Sequence, residues 1–323
     1  MSSRPPVEAV VLGTRKSTLA QRQTASVVEL LQAAWPDLTC EVRLLTTHGD
    51  RTQASGEPLP EIGGKGLFTA ELEQGLREGD LDLAVHSLKD LPTEDAPDVE
   101  IGAVCARGDV RDCLVSREGR TLADLPRGAV VGTSSLRRTA QLRAARADLD
   151  LRSIRGNVDT RIRKVREGEF DATVLAAAGL VRLGSEDEVT EWLGPETMLP
   201  APGQGALAVQ FRSGDERLRE LLTAIEDGPT RAATTAERTF LRALEAGCTA
   251  PVAAFAEVES PRYDLSRGNG GALRARLEGR VLSSDGKEVV RVEGEGTPAE
   301  VGERLAREAL AAGAREILAA IRG

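Results

Sequence analysis

Residues 76–88, LREGDLDLAVHSL, and residues 165–180, VREGEFDATVLAAAGL, follow one plan: a basic helix end, a glycine stop, then an apolar strand. Gly79 and Gly168 stand where helices commonly close, and the apolar residues after them read as buried strands. A second match lies upstream of each. VVLGTRKSTLAQRQ (10–23) and AVVGTSSLRRTAQLR (129–143) both run from an apolar strand through Gly-Thr and a serine and basic cluster into a helix with Ala-Gln. A strand-Gly-helix turn is common in any α/β protein, but two matches in the same order point to two lobes of related α/β architecture with parallel or mixed sheets. In such folds ligands sit at the carboxyl ends of strands, so the expected site is a cleft between the lobes. A late strand, GALAVQFR (205–212), is expected to join the first lobe. That placement puts the two crossings near residues 105–110 and 200–205, where LPAPGQG (199–205) has hinge composition.

The chain has 323 residues, enough for two or three domains, with 41% apolar and 29% charged residues, a globular balance. Aromatics are only 2% and the formal net charge is −9, which argues against rows of base-stacking rings and against a phosphate-binding surface, hence no nucleic acid. The sequence begins without an apolar run of signal-peptide length, and no stretch approaches the ~20 apolar residues of a membrane span. A cytoplasmic protein is expected. Cys40, Cys105, Cys113 and Cys248 are too widely spaced for a zinc knuckle or a CxxC pair, and His48 and His86 are too isolated for a metal site. The last third reads as a compact α+β module: a helix in TRAATTAERTFLRALEAG, strands in VAAFAEVE, ALRARLEGRVLS and KEVVRVEGE, and a final helix from about Pro298 to Ile321. SPRYDLSRGNGG (260–271) is a polar, glycine-rich loop.

Cations recur at the turns expected to face the site. Arg15, Lys16 and Ser17 open one helix, and Ser134, Ser135, Arg137 and Arg138 open its counterpart, at the end the helix dipole disfavours for cations. Free N–H groups, hydroxyls and guanidiniums together instead make an anion receptor. Arg155 and Arg161 surround a further turn. Lys65 lies in a glycine loop that lacks the P-loop spacing, so the anion is read as a carboxylate rather than a nucleotide. The strand 81–86 ends in Lys89-Asp90 and then Pro92. An aspartate there could stabilise a developing cation and move a proton, or could simply make an Asx-type turn. Cys248 follows a helix and its glycine stop, which leaves open a packed thiol or a reactive loop thiol.

Eight motifs in order, GTRKSTLA, GGKGLFTAELE, AVHSLKDLP, GTSSLRR, IRGNVDTRIRK, AAAGLVRLG, PAPGQGALAV and EAGCTAPVAA, make the chain similar to the porphobilinogen deaminase family. The resemblance implies three α/β domains: residues 1–105 with 206–223, residues 106–205, and residues 224–323. The first two would be similar to the lobes of type II periplasmic binding proteins, with a cleft between them, and the third a small α+β domain for cofactor attachment. It implies a transferase that joins four porphobilinogen units head to tail with loss of ammonia to give 1-hydroxymethylbilane, a step of haem biosynthesis. The primer would be a dipyrromethane cofactor held by a thioether to Cys248. Asp90 takes the position of the catalytic aspartate. Ser87, Lys89, Thr133, Ser135, Arg137, Arg138, Arg161, Arg182 and Gly205 match cofactor-binding positions. Arg15, Ser17, Lys65, Phe68, Arg155 and Gln204 match substrate-binding positions. Porphobilinogen would be the small-molecule partner of a monomer, with no metal, nucleic acid or membrane. The family pattern reads Gly-Gly-Cys with an apolar residue before proline, where this chain has Ala246-Gly247-Cys248-Thr249-Ala250-Pro251. The competing reading is a two-lobed anion-binding or sensor module that needs neither Asp90 nor Cys248.

Overall fold

The computed structural model of the chain describes residues 5–47, 69–94, 96–246, 250–259 and 273–322. The chain divides into two compact units. One is Met1–Gly108 with Val181–Gly184 and Gly205–Gly228, and the other is Asp109–Leu180 with Ser185–Gln204 and Pro229–Gly323.

The first unit is a five-stranded sheet between helices. Its strands are β1 (Ala9–Arg15), β2 (Thr39–Leu45), β3 (Leu83–Ser87), β4 (Val99–Val104) and β10 (Leu207–Arg212). They lie in the order β2-β1-β3-β10-β4, with β1 parallel to β2 and β3, and β10 antiparallel to β3 and β4. The late strand 205–212 therefore does join this sheet. Helix α1 (Thr18–Ala34) covers one face through Val27 and Leu31, which pack with Leu12, Leu83 and Phe211. Helix α2 (Ala70–Glu78) covers the other through Leu72 and Leu76, with Leu81 and Ala84. Because both faces are covered, β3 is buried at His86 as well as at its apolar positions.

The second unit repeats the plan. Strands β5 (Asp112–Ser116), β6 (Val130–Gly132), β7 (Asp150–Arg152), β8 (Ala172–Ala176) and β9 (Glu191–Leu193) lie in the order β7-β6-β8-β5-β9, and the fourth strand, β5, is again antiparallel to its neighbour β8. Helix α3 (Leu136–Ala145) contributes Leu142 to the cluster on one face, and α4 (Val158–Arg166) contributes Ile162 on the other. The repeat extends to single atoms. Asp82 Oδ2 accepts a hydrogen bond from Val11 N at 2.8 Å, and Asp171 Oδ2 accepts one from Val130 N at 2.8 Å. Each aspartate follows the glycine stop of the opening motif, Gly79 at φ 82° or Gly168 at φ 83°, and each ties the new strand to its parallel neighbour, β1 or β6.

The same unit contains an antiparallel sheet, β11 (Val252–Glu259), β12 (Arg274–Leu282) and β13 (Val289–Gly296), under α5 (Gly228–Ala243) and α6 (Pro298–Ala309). Phe240, Leu277 and Leu305 are at its core. The final helix was expected to run unbroken. It is instead interrupted at Gly313, whose φ of 107° a residue with a side chain rarely adopts, and resumes as α7 (Arg315–Arg322).

Helices α5 and α6 approach so closely at Gly302 that an added Cβ would lie 2.6 Å from Ala236 O and 3.0 Å from Phe240 N. Alanine favours a helix over glycine by roughly 1 kcal/mol, but overpacking against fixed backbone costs roughly 1–3 kcal/mol. Gly302→Ala is therefore expected to lower the denaturation midpoint. An unchanged or raised midpoint would show that the helix pair yields.

Candidate active site

In the first unit the sequence-derived residues collect at one end of the sheet. Strands β1 and β3 are parallel neighbours, so their carboxyl ends coincide. Arg15 ends β1, and Ser17 caps α1 by accepting a hydrogen bond from Ala20 N at 3.3 Å. Ser87 ends β3, where its Oγ accepts from Gln23 Nε2 of α1 at 2.9 Å. The chain then makes a single 3-10 turn, Leu88–Asp90. Leu88 N donates to Ala206 O at 3.0 Å, Leu91 N donates to Leu88 O at 3.2 Å, and both leucine side chains are buried. These apolar anchors on either side hold Lys89 half-buried and Asp90 exposed.

Strand β10 begins at the same end. Gly205, at φ 89°, accepts at its carbonyl from Arg182 Nη2 at 2.6 Å and from Gly108 N at 3.2 Å. Burial pushes the Arg182 guanidinium below its ordinary pKa, and among the described residues it has no carboxylate partner.

In the second unit the corresponding end of the sheet holds Thr133 and Ser135 after β6, Arg155 after β7, and Arg161 in α4. Ser135 caps α3, with its Oγ accepting from Arg138 N at 3.4 Å. The two helix openings are not superimposable, because Ser17 lies four residues past Gly13 while Ser135 lies three past Gly132. Arg15 therefore precedes its cap, whereas Arg137 and Arg138 lie inside the first helical turn.

That difference changes what the arginines do. Arg137 and Arg138 are buried on the carboxylate of Asp112, the first residue of β5. Arg137 Nη2 donates to Asp112 Oδ2 at 2.7 Å and its Nη1 to Leu199 O at 2.6 Å. Arg138 Nη2 donates to Asp112 Oδ1 at 2.7 Å and its Nη1 to Val174 O at 2.9 Å. Gln204 Nε2 reaches the same Oδ1 at 3.0 Å and Val110 O at 2.8 Å. Asp112 was not found from the sequence, since nothing near it in the chain marks a partner 25 residues away.

Arg161 donates from Nε to Gly156 O at 2.8 Å. Burial first, and the charge of Arg138 second, push its pKa down to about 10. A half-buried guanidinium beside another cation, with no carboxylate among the described residues, has the charge to receive an external anion. A carboxylate-rich group such as a dipyrromethane fits these donors.

Cys105 and Cys113 are buried, and burial pushes the Cys113 thiol up to about 12, so neither is a ready nucleophile. Lys65, Phe68, Cys248 and the 260–271 loop lie outside the described residues.

Residues 10–220 match the model for the porphobilinogen deaminase dipyromethane cofactor-binding domain, and residues 232–311 match that for the porphobilinogen deaminase C-terminal domain. The chain belongs to the porphobilinogen deaminase family. It is 48% identical over 311 residues to the porphobilinogen deaminase of Roseiflexus castenholzii, covering 96% of this chain and 99% of that one. To the porphobilinogen deaminase of Thermus thermophilus it is 46% identical over 319 residues, covering 98% and 100%. Family membership does not favour the non-catalytic binding module.

His86, buried behind Arg15, supplies a pH test. Burial, and then the Arg15 charge, lower its pKa to about 4 from an ordinary 6.5. The unfolded chain therefore binds a proton in a window where the folded chain does not, and stability rises with pH between these two values. On the order of 2 kcal/mol present at pH 7 is expected to be lost by pH 5 through this group. Comparing denaturation of the wild type and His86→Gln at both pH values checks it: the variant should lose less, and equal losses would contradict the account.

Proposed function

We propose that the chain is a hydroxymethylbilane synthase, which polymerises four porphobilinogen units head to tail with release of ammonia. The observation that carries the reading is the match of residues 10–220 to the dipyromethane cofactor-binding domain of the porphobilinogen deaminases. In each step a bond between the aminomethyl carbon and its nitrogen breaks, ammonia leaves, and a new carbon–carbon bond forms to the free α-position of a pyrrole, which loses its proton. The cofactor supplies the terminal pyrrole from which the chain grows.

Asp90 is proposed as the acid-base group. Its exposed carboxylate, on a turn anchored by Leu88 and Leu91, is available to a substrate without unfolding its surroundings. It would hold a proton for the departing amine, face the positive charge left on the methylene carbon, and take up the α-proton. Cys248 is proposed to carry the cofactor by a thioether. Ser87, Lys89, Thr133, Ser135, Arg138, Arg161, Arg182 and Gly205 are proposed to hold it, and Arg15, Ser17, Lys65, Phe68 and Arg155 to hold substrate. Each pyrrole brings an acetate and a propionate, which accounts for so many cations. Support comes from Arg161 and Arg182, both desolvated with no internal counter-ion among the described residues. Arg137 and Gln204 are better read as structural: both terminal nitrogens of Arg137 and the side-chain amide of the buried Gln204 are committed inside the fold, whereas Arg138 keeps a buried Nε with no partner.

A three-domain division at 106–205 and 224–323 and a cytoplasmic monomer complete the proposal. Among the described residues no helix is long and apolar enough to cross a membrane.

Incubation with porphobilinogen should release ammonia and give a product that cyclises to a porphyrin. Asp90→Asn should lower turnover by roughly 10²- to 10⁴-fold. Its melting temperature should not change, because the side chain is exposed. Binding of porphobilinogen without turnover by the wild type would leave only a binding module, and near-wild-type turnover by the variant would remove Asp90 from the chemistry.

A further inference from the structure

The buried cluster around Asp112 divides the Arg137-Arg138 pair into two unlike members. Arg137 is held at both ends of its fork, by Leu199 O and Asp112 Oδ2. Arg138 is held at two corners, by Val174 O and Asp112 Oδ1, and its Nε is buried with no partner. An unmade hydrogen bond at a buried donor is unfavourable, and such donors persist where function requires them.

A guanidinium is a rigid plane. Fixing its two terminal nitrogens fixes that plane, and with it the direction of the Nε–H bond. Val174 O is main chain in the middle of a sheet, so Asp112 is the side chain that sets the second corner. Asp112 is set in turn by Gln204, which bonds Oδ1 and the neighbouring Val110 O. Charge leads to the same place. One carboxylate between two guanidiniums leaves a net single positive charge, matched to one further carboxylate, and the field of Arg138 reaches Arg161.

We propose that Asp112 is a positioning residue for the polymerisation: it fixes Arg138, the ligand-holding member of the pair, and brings the pair's charge to that of one pyrrole carboxylate. The inference rests on the synthase reading and deepens it. Asp112 touches neither substrate nor cofactor and acts through Arg138.

The test is a double-mutant cycle on kcat/KM for porphobilinogen consumption, using the full chain. Asp112→Asn, Arg138→Lys and their combination are compared, with Arg161→Lys as the second background. If Asp112 works through Arg138, Asp112→Asn should cost on the order of tenfold less in the Arg138→Lys background than in the wild type, the scale of coupling within one ion-pair network. In the Arg161→Lys background more of its cost should persist. Equal costs in all three backgrounds would overturn the inference, because a general loss of stability does not depend on which arginine is present. Should Asp112→Asn fail to melt cooperatively, Gln204→Met takes its place in the cycle, with the same non-additivity expected and the same additivity overturning the inference. An inactive wild type would overturn the synthase reading along with this one. An active wild type with additive losses would overturn this inference alone.

Discussion

A guanidinium taken out of water needs an anion, and the described residues of this chain withdraw more guanidiniums than they neutralise. Asp112 serves both Arg137 and Arg138, while Arg161 and Arg182 are desolvated against main-chain carbonyls with no carboxylate among the described residues. Charge burial of this kind is unfavourable unless the missing anion arrives with a ligand. Much else in the molecule can be read as the means of holding those cations in place. The serine-capped helix openings, the strand ends that carry Arg15 and Ser87, and the glycine carbonyl under Arg182 all lie at the carboxyl edge of one sheet or the other.

The duplicated sheets explain how a chain reaches that arrangement twice. In each, a helix stops at a glycine, an aspartate ties the following strand to its neighbour, and the parallel strands end together. In each, the fourth strand is antiparallel and is the first laid down after the chain changes unit, β5 after Gly108 and β10 after Gln204. That strand delivers its first residues to the carboxyl edge of its sheet. In the second unit the delivered group is Asp112, and in the first it is the Gly205–Leu207 segment that anchors Leu88 and hence the Asp90 turn.

The plan of each repeat and the positions of Arg15, Ser17 and Asp90 were legible in the sequence because a glycine stop, a helix opening or a strand end marks each within a few residues, whereas Ser87 came from family resemblance. The Asp112 cluster was not, because it joins a strand, a helix and a loop that are distant in the chain. Without it, Arg137 and Arg138 read alike, and the helix dipole argument assigned both to an external anion. An internal carboxylate meets much of that demand. The break in the final helix was missed for a local reason: Gly313 stands among alanines and leucines that favour a helix, and only its positive φ interrupts it. The role of Cys248 came from family resemblance alone, since a cysteine after a helix stop has no distinguishing physics of its own.

A covalent polycarboxylate on this chain is the central claim, and the mass of the denatured protein tests it most directly. Purified under reducing conditions, the active protein should be heavier than its sequence by a two-pyrrole group, and digestion should place that mass on the peptide containing Cys248. Cys248→Ala should lose the added mass and the activity together, while Ala at Cys40, Cys105 or Cys113 should keep both. An unmodified chain mass in an active preparation, or an adduct on another cysteine, would contradict the account.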